Sequence, residues 1–533
     1  MTSSHRSATK PMLLRHARTL PTKTVVVSAL ITLAWTSAAR AGGTELGAIG
    51  VEALGRAGAF TARASDPMAL NHNVAGLVGL PGLQWTASTN VGFWRHCFAR
   101  EGRYDGVESG VETRGTVFAD SMYATARPAY PEVCNEAGPT VVPQLVVTWR
   151  PRPWIAVGAG FLTPSGIGTQ RFPDRVETDA GLAPSPARYM VLGTNVTIIH
   201  PTVGVAVAPL SWLRVGAALQ PSVGHFAGET MANAIGSQSP ATDIRSAADA
   251  WGFFWAGNLG IMVQPVPWLT LAAHAHLNES PVVFTGKTTA TARPYAADAA
   301  TIRASQFDST ITLPLPSLFR FGVRVAPLRT GAPEAWADRD PMRDEEFDVE
   351  VDVHYETSSV LQQVITQSSG TVQLDATRSA PATPLVVLRR SWRDTFGIRV
   401  AAERAILPNE LSIRAGFSWD LGAQTGPRTY NGSVVDWNPD AGIDTAGYDT
   451  FGLAVGASYR WRWLTIDVGY QHTFLGGAYV FGGRATTVSG TVPITAADCA
   501  RGAGYPGPGA CSNNQGQYTA AYDVLAIGIT GRH

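Results

Sequence analysis

The sequence predicts an all-β chain that forms a transmembrane, antiparallel β-barrel of about 14 strands. Three observations carry that prediction. Segments of alternating apolar and polar residues recur along the chain, short turns rich in Pro and Trp alternate with long polar connections, and no apolar run is long enough to cross a bilayer as a helix.

At the N-terminus the basic residues His5, Arg6, Lys10, Arg15, Arg18 and Lys23 precede the apolar run 25–35 and the triplet Ala39-Arg40-Ala41. This order is that of a secretory signal peptide over 1–41, and its apolar core is too short for a membrane anchor. Export agrees with the cysteines. Cys97 with Cys134 and Cys499 with Cys511 fall as two close pairs in polar, Gly/Pro-rich stretches, which suits disulfides of an oxidising compartment. Neither pair has C-x-x-C spacing or a histidine cluster beside it, so no metal and no cofactor is expected.

Composition narrows the classes further. Of 533 residues, 45% are hydrophobic and 15% charged, with 41 basic and 41 acidic side chains. Charge that sparse excludes disorder driven by charge excess. A nucleic-acid partner is not expected either, because net charge is zero and lysine occurs only at Lys10, Lys23 and Lys287.

The clearest strand is 347–355, where Phe347, Val349, Val351, Val353 and Tyr355 alternate with Asp348, Glu350, Asp352 and His354. Only an extended chain puts these two sets on opposite faces. Segments 319–325, 411–420 and 464–471 repeat the pattern. A soluble sandwich also gives one apolar face, so the punctuation decides. Short turns recur at 149–154, 209–212, 265–268, 407–410 and 459–463, with long connections between them, as in outer-membrane barrels. Trp149, Trp154, Trp212, Trp268, Trp461 and Trp463 at these turns then form an interfacial aromatic girdle. The irregular turn 328–346 is the exception to this spacing. If the first strand rises from the periplasm, both cysteine pairs lie in extracellular loops. The loop 227–250, rich in alanine, is the candidate catch surface: it could form short helices and its small residues permit an apolar groove, which composition alone does not show.

The stretch 42–83 resembles the N-terminal plug of the FadL-type long-chain fatty-acid transporters of the outer membrane, whose pattern is a Gly/Ala-rich stretch, an acidic residue and then N-P-A-G-L. Leu54 to Ala59, Asp66 and Asn73-Val74-Ala75-Gly76-Leu77 match, with valine where the family has proline. Similar phrases follow in order at 163–166, 200–206, 313–316 and 411–420. The chain closes on Ile529-Thr530-Gly531-Arg532-His533 instead of the aromatic residue usual in such barrels. The resemblance implies a hatch over 42–82 inside a barrel over 83–533, and passive uptake of hydrophobic molecules such as long-chain fatty acids through a lateral opening near the third strand. It implies residence in the outer membrane of a Gram-negative bacterium. The expected partners are a hydrophobic solute, outer-membrane lipid and the barrel-assembly machinery, with the protein as a monomer.

The residues suggest where such passage takes place. Gly158 and Gly160 lack side chains and Pro164 lacks a ladder donor, so with Gly166 they mark the third strand as the one best able to part from its neighbours, although glycine also simply relieves crowding in barrels. Inward-facing charges alternate by strand: Arg320 and Arg324, then Asp348, Glu350 and Asp352, then Arg399, then Arg414. Cross-strand pairing that braces the wall is the simpler reading, and a spare arginine gripping a carboxylate headgroup is the functional one. Asn73, Ala75 and Gly76 are expected to set a turn before they contact any ligand. No catalytic constellation stands out, so an enzyme is not expected. The competing reading is a general diffusion porin or an adhesive structural barrel.

Overall fold

The computed structural model describes residues 48–104, 115–119, 122–163, 168–233, 238–373, 379–381, 385–430, 433–437, 440–443, 447–480, 484–487, 490–493 and 513–533. The predicted signal peptide, Pro164, Gly166, Cys499 and Cys511 lie outside them. The chain forms a closed antiparallel barrel of 14 strands. In order these are β1 (Gly82–Arg100), β2 (Thr140–Arg152), β3 (Ile155–Leu162, resuming at Gly168–Arg171), β4 (Gly193–Leu210), β5 (Leu213–Asn233), β6 (Asp243–Val266) and β7 (Leu269–Asn278 and Val282–Ala292). They continue as β8 (Ser305–Leu313 and Leu318–Val325), β9 (Asp348–Glu356 and Gln363–Ser369), β10 (Leu385–Arg389 and Thr395–Leu407), β11 (Leu411–Asp420), β12 (Thr450–Trp461), β13 (Leu464–Val480) and β14 (Gly516–Arg532). The ladder between β1 and β14, from Gln84 opposite Arg532 to Arg100 opposite Gly516, closes the wall.

The faces of the strands settle the choice between barrel and sandwich. On β9 the residues Asp348, Glu350 and Asp352 are 1%, 0% and 0% exposed, while on neighbouring β8 Phe321 and Val323 are 55% and 48% exposed. The apolar face is the outer one. In water each such side chain would forgo roughly 1.5–3 kcal/mol of burial, so a continuous band of them requires lipid. The six turn tryptophans named above are each about half exposed on the outer surface, as a girdle requires. Among the described residues no helix is long and apolar enough to cross a membrane.

One connection differs from expectation. Residues 227–233 and 243–250 are not helical: they continue β5 and β6 as a long hairpin, paired from Ala227 opposite Asp249 to Asn233 opposite Asp243. Alanine suits a helix, but the continuing ladder and the Arg245–Glu229 ion pair across it satisfy the backbone as strand. The segment 328–346 is an irregular connection. It carries a 3₁₀ turn (Trp336–Asp338) and a helical turn (Pro341–Asp344) capped by Asp340, whose side chain accepts the Met342 N–H. Arg460 at 2.6 Å and Arg532 at 3.2 Å fasten Asp340 to the wall. Burial pushes that carboxyl up, but the two guanidiniums outweigh it and hold it below the ordinary range.

Cys97 and Cys134 are disulfide-bonded where β1 meets the short strand Glu132–Cys134 at the long-loop end. Glu132 lies beside them, but with the sulfurs joined to each other no thiolate remains for a metal. Peptide mapping of the unreduced protein should recover Cys97 joined to Cys134. Cys97 joined to Cys499 or Cys511 would contradict this register.

Candidate functional site

Inside the wall, residues 48–81 are almost all buried and touch inward-facing residues around the circumference. A one-turn helix (Val51–Leu54), a second (Ala69–His72) and a 3₁₀ segment (Val74–Gly79) are joined by turns. Nothing in so short a run of single turns is stable alone, so its conformation depends on the wall.

One flank of the segment is charged. Arg56, fully buried, reaches Asp348 at 2.9 Å, Glu350 at 3.1 Å and Glu403 at 3.3 Å. Arg63 binds Glu52 at 2.6 Å, Glu403 at 2.9 Å and also Asp348. The acidic strand holds the backbone as well. Asp352 accepts the N–H groups of Phe60 at 3.1 Å and Thr61 at 3.0 Å, and Glu350 accepts those of Ala62 at 2.6 Å and Arg63 at 3.3 Å. Carboxylates thus grip four successive amides and two guanidiniums of one turn.

The predicted cross-strand pairing is therefore only part of the picture. Arg324 does pair with Asp348 across the β8–β9 ladder and also with Glu345. Arg399 sits opposite Asp352 in register but turns to Asp420 on β11. Arg414 lies near Glu403 and Asp467, at 3.4 and 3.6 Å. Arg320 is buried between His274 and His354 in the ladder register. The chief partners of the acidic row, Arg56 and Arg63, belong to the N-terminal segment. Two arginines within an apolar Gly/Ala stretch were the available signal for them.

The opposite flank is apolar. Leu70, Val74, Leu77 and Val78 pack on Val146, Ala156, Ala206 and Met262 of β2, β3, β4 and β6. Asn73 is the pivot between the flanks: its Oδ1 accepts the Ala75 N–H at 3.2 Å and its Nδ2 donates to the Thr61 carbonyl at 2.9 Å. Gly76 is where only glycine fits, because a Cβ there would meet the Ala64 carbonyl oxygen at 2.5 Å. Ala75 and Val74 are enclosed, and Asp66 caps the next turn by accepting the Met68 N–H at 2.9 Å. The residues matched to the hatch pattern thus set turns.

Above the segment, toward the long loops, the inner wall changes twice. A polar belt comes first, with His200 Nδ1 2.6 Å from Ser222 Oγ, Gln220 donating to Thr202 at 3.0 Å and His276 Nδ1 2.8 Å from Asn258. Beyond it lies an apolar zone of Ile198, Phe254, Phe284, Ile311, Leu313 and Trp392. The alternation along β4 encodes this layering at every second residue: Val196, Ile198, His200, Thr202, Gly204, Ala206.

The β3 wall is irregular at that height. Its ladder with β2 runs up to Phe161 opposite Leu145, although β2 remains paired with β1 as far as Thr140. Among the described residues β3 pairs with β4 up to Leu162 opposite His200 and again from Gly168 opposite Val196, with 164–167 outside them. The two described glycines differ. A Cβ at Gly158 would touch Leu77 and Leu70 at 3.3 and 3.5 Å, whereas at Gly160 it would strike the Leu145 carbonyl oxygen at 2.6 Å.

A fourteen-stranded antiparallel barrel around its own N-terminal segment is a defined fold class. No protein-family model matches the sequence, and no curated protein does. Among solved structures it is similar to a Pseudomonas aeruginosa FadL homologue, with 13% identity, a TM-score of 0.65 and coverage of 92% of this chain and 100% of that one. It is also similar to the Ralstonia pickettii toluene transporter TbuX, at 14% identity and TM-score 0.57 over 91% and 99% of the two chains. The P. putida toluene transporter TodX gives 13% and 0.57 over 92% and 99%. The chain has the FadL-type barrel fold.

Removing one partner of a buried ion pair costs about 3–5 kcal/mol, because the other charge stays buried alone. Arg56→Met should therefore expose the 48–66 stretch to protease in an otherwise intact barrel. Arg56→Lys, which keeps the charge, should retain much of the resistance. Equal resistance of wild type and Arg56→Met protein would show that the ion pairs do not hold the segment.

Proposed function

We propose that the chain is an outer-membrane channel for passive entry of hydrophobic molecules, with residues 42–82 as a plug and an exit sideways through the wall at β3. The reading places it with the FadL-type transporters and takes long-chain fatty acids or monoaromatic hydrocarbons as its solutes, since the similar structures include toluene transporters and a monoaromatic hydrocarbon channel. The observation that carries it is the end of the β2–β3 ladder at Phe161 opposite Leu145, while β2 stays paired with β1 as far as Thr140, level with the apolar zone and just above the polar belt. A solute resting on Phe254 and Phe284 has below it a belt of hydrogen-bonded side chains and a docked segment. Beside it is the stretch of wall where the described β2–β3 ladder ends, and beyond that is lipid. Passage sideways avoids both the polar belt and water, which is the lower-energy route for an apolar molecule.

Deleting residues 42–82 should yield a barrel that conducts ions steadily in planar bilayers, while the intact protein conducts little. Large, stable conductance from the intact protein would favour the diffusion-porin reading. Gly158→Val should cut uptake of a hydrophobic solute several-fold without blocking assembly, because the side chain fills the contact between β3 and Leu77. Gly160→Val should instead lower the yield of assembled barrel. Undiminished uptake by an assembled Gly158→Val protein would remove β3 as the exit.

A further inference from the structure

We propose that the polar belt selects hydrogen-bond donors, so that the preferred solutes are neutral apolar molecules bearing a hydroxyl group, such as alkylphenols, and we assign His200 Nε2 as the atom that accepts their O–H. The proposal rests on the uptake reading and names the solute class of that route.

Two hydroxyls set the direction of the hydrogen bonds on the β4–β5 side of the belt. Thr202 donates its single hydroxyl hydrogen to the His200 carbonyl at 2.9 Å, and Ser222 donates its own to the Gln220 carbonyl at 2.9 Å. Toward any other neighbour each hydroxyl oxygen can then only accept. Gln220 Nε2 therefore donates to Thr202 at 3.0 Å, and His200 Nδ1 carries the hydrogen that meets Ser222 at 2.6 Å. The network fixes both the tautomer of the ring and the orientation of the amide. What remains on each side chain is a bare lone pair, His200 Nε2 and Gln220 Oε1. Both atoms are enclosed without a hydrogen-bond partner, in residues that are 0% exposed. The ring of His276 has no hydrogen to spare for them from Nδ1: Asn258 Nδ2 donates to the Leu70 carbonyl at 3.1 Å, so Asn258 Oδ1 accepts from His276 Nδ1 at 2.8 Å. A buried acceptor that nothing serves is costly, and a donor brought by a ligand removes that cost.

The surroundings of His200 decide which donor. Its ring stands perpendicular to that of Phe254 in the apolar zone, with centroids 6.0 Å apart. His200 lies opposite Leu162 on β3, one residue beyond Phe161, where the β2–β3 ladder ends. The acceptor thus sits where belt, apolar zone and proposed exit meet. A carboxylate has no hydrogen to give and would bring its charge against a lone pair. An ammonium group has hydrogens, but the described histidine–carboxylate pairs are His225 with Asp249 and His472 with Asp523, so no counter-ion at His200 offsets the burial of a cation. A bare hydrocarbon leaves the acceptor unmet. A neutral hydroxyl on an apolar body satisfies the nitrogen and packs on Phe254, and a site built to bond a hydroxyl discriminates against the analogue that lacks it.

Equilibrium dialysis of the assembled full-length protein in lipid nanodiscs, with protein-free nanodiscs subtracted, tests this with para-butylphenol, its methyl ether para-butylanisole and para-butylbenzoate. The phenol should bind about tenfold more tightly than the ether, which has the same apolar body but no hydrogen to donate, and more tightly than the benzoate. His200→Leu should bring the phenol to the level of the ether. Ser222→Ala, which frees the ring to carry its hydrogen on either nitrogen, should cut the preference several-fold. Nitrogen NMR of histidine-labelled wild-type protein should show the His200 Nε2 resonance moving when the phenol is added and staying in place with the ether. Equal binding of phenol and ether by the wild type, tighter binding of the benzoate, or a full preference in assembled His200→Leu protein would each overturn the proposal. An unmoved Nε2 resonance would do the same, since it would mean that only an ordered water serves this atom. Absence of solute uptake with the phenol preference intact would remove the transport reading alone.

Discussion

The grip of the β9 carboxylates on the N-terminal segment is the interaction on which the rest of the molecule depends. Residues 48–81 consist of isolated single turns, too short to hold themselves, and the wall supplies what they lack. Asp352 and Glu350 accept four consecutive backbone N–H groups, while Asp348 binds Arg56, Arg63 and Arg324. Apolar packing alone would let such a segment slide or rotate within a tube. Directed charge-assisted bonds fix its register, which is the best-attested use of buried ion pairs given their desolvation cost.

The two unlike flanks follow from that anchoring. With Arg56 and Arg63 committed to β9 and β10, Leu70, Val74 and Leu77 must face β2 to β6, the part of the wall that contains β3. Contacts on that side are mainly apolar packing, with the Leu70 and Val78 carbonyls accepting from Asn258 and Arg150 at 3.1 and 3.0 Å, and no ion pair among the described residues. The segment is therefore held by ion pairs on one flank and mainly by apolar packing on the other.

Much of this was legible in the sequence, for physical reasons. Alternation with period two and tryptophan at short turns are local signals, so the strands, the girdle and the inward face of Asp348, Glu350 and Asp352 could be read directly. Partners across the lumen could not. Arg56 and Asp348 are separated by 292 residues, and nothing local says that a segment folds inside the tube to meet them. Cross-strand pairing was the natural expectation for the acidic row because register makes neighbours of adjacent strands, and Arg324 obeys it. Arg399 does not, since Asp420 competes for it from the other side. The alanines of 227–250 misled for a different reason: helix preference is weak beside a ladder that continues from both strands below.

The central claim is that the wall docks the N-terminal segment through its carboxylates, and amide hydrogen exchange read by mass spectrometry tests it most directly. In the assembled protein the amides of Phe60 to Arg63 should exchange as slowly as those of β9 and β10, and Glu350→Gln with Asp352→Asn should release them while the strands stay protected. Exchange of the 60–63 amides at the rate of exposed loops in the wild-type protein, with the barrel protected, would contradict the account.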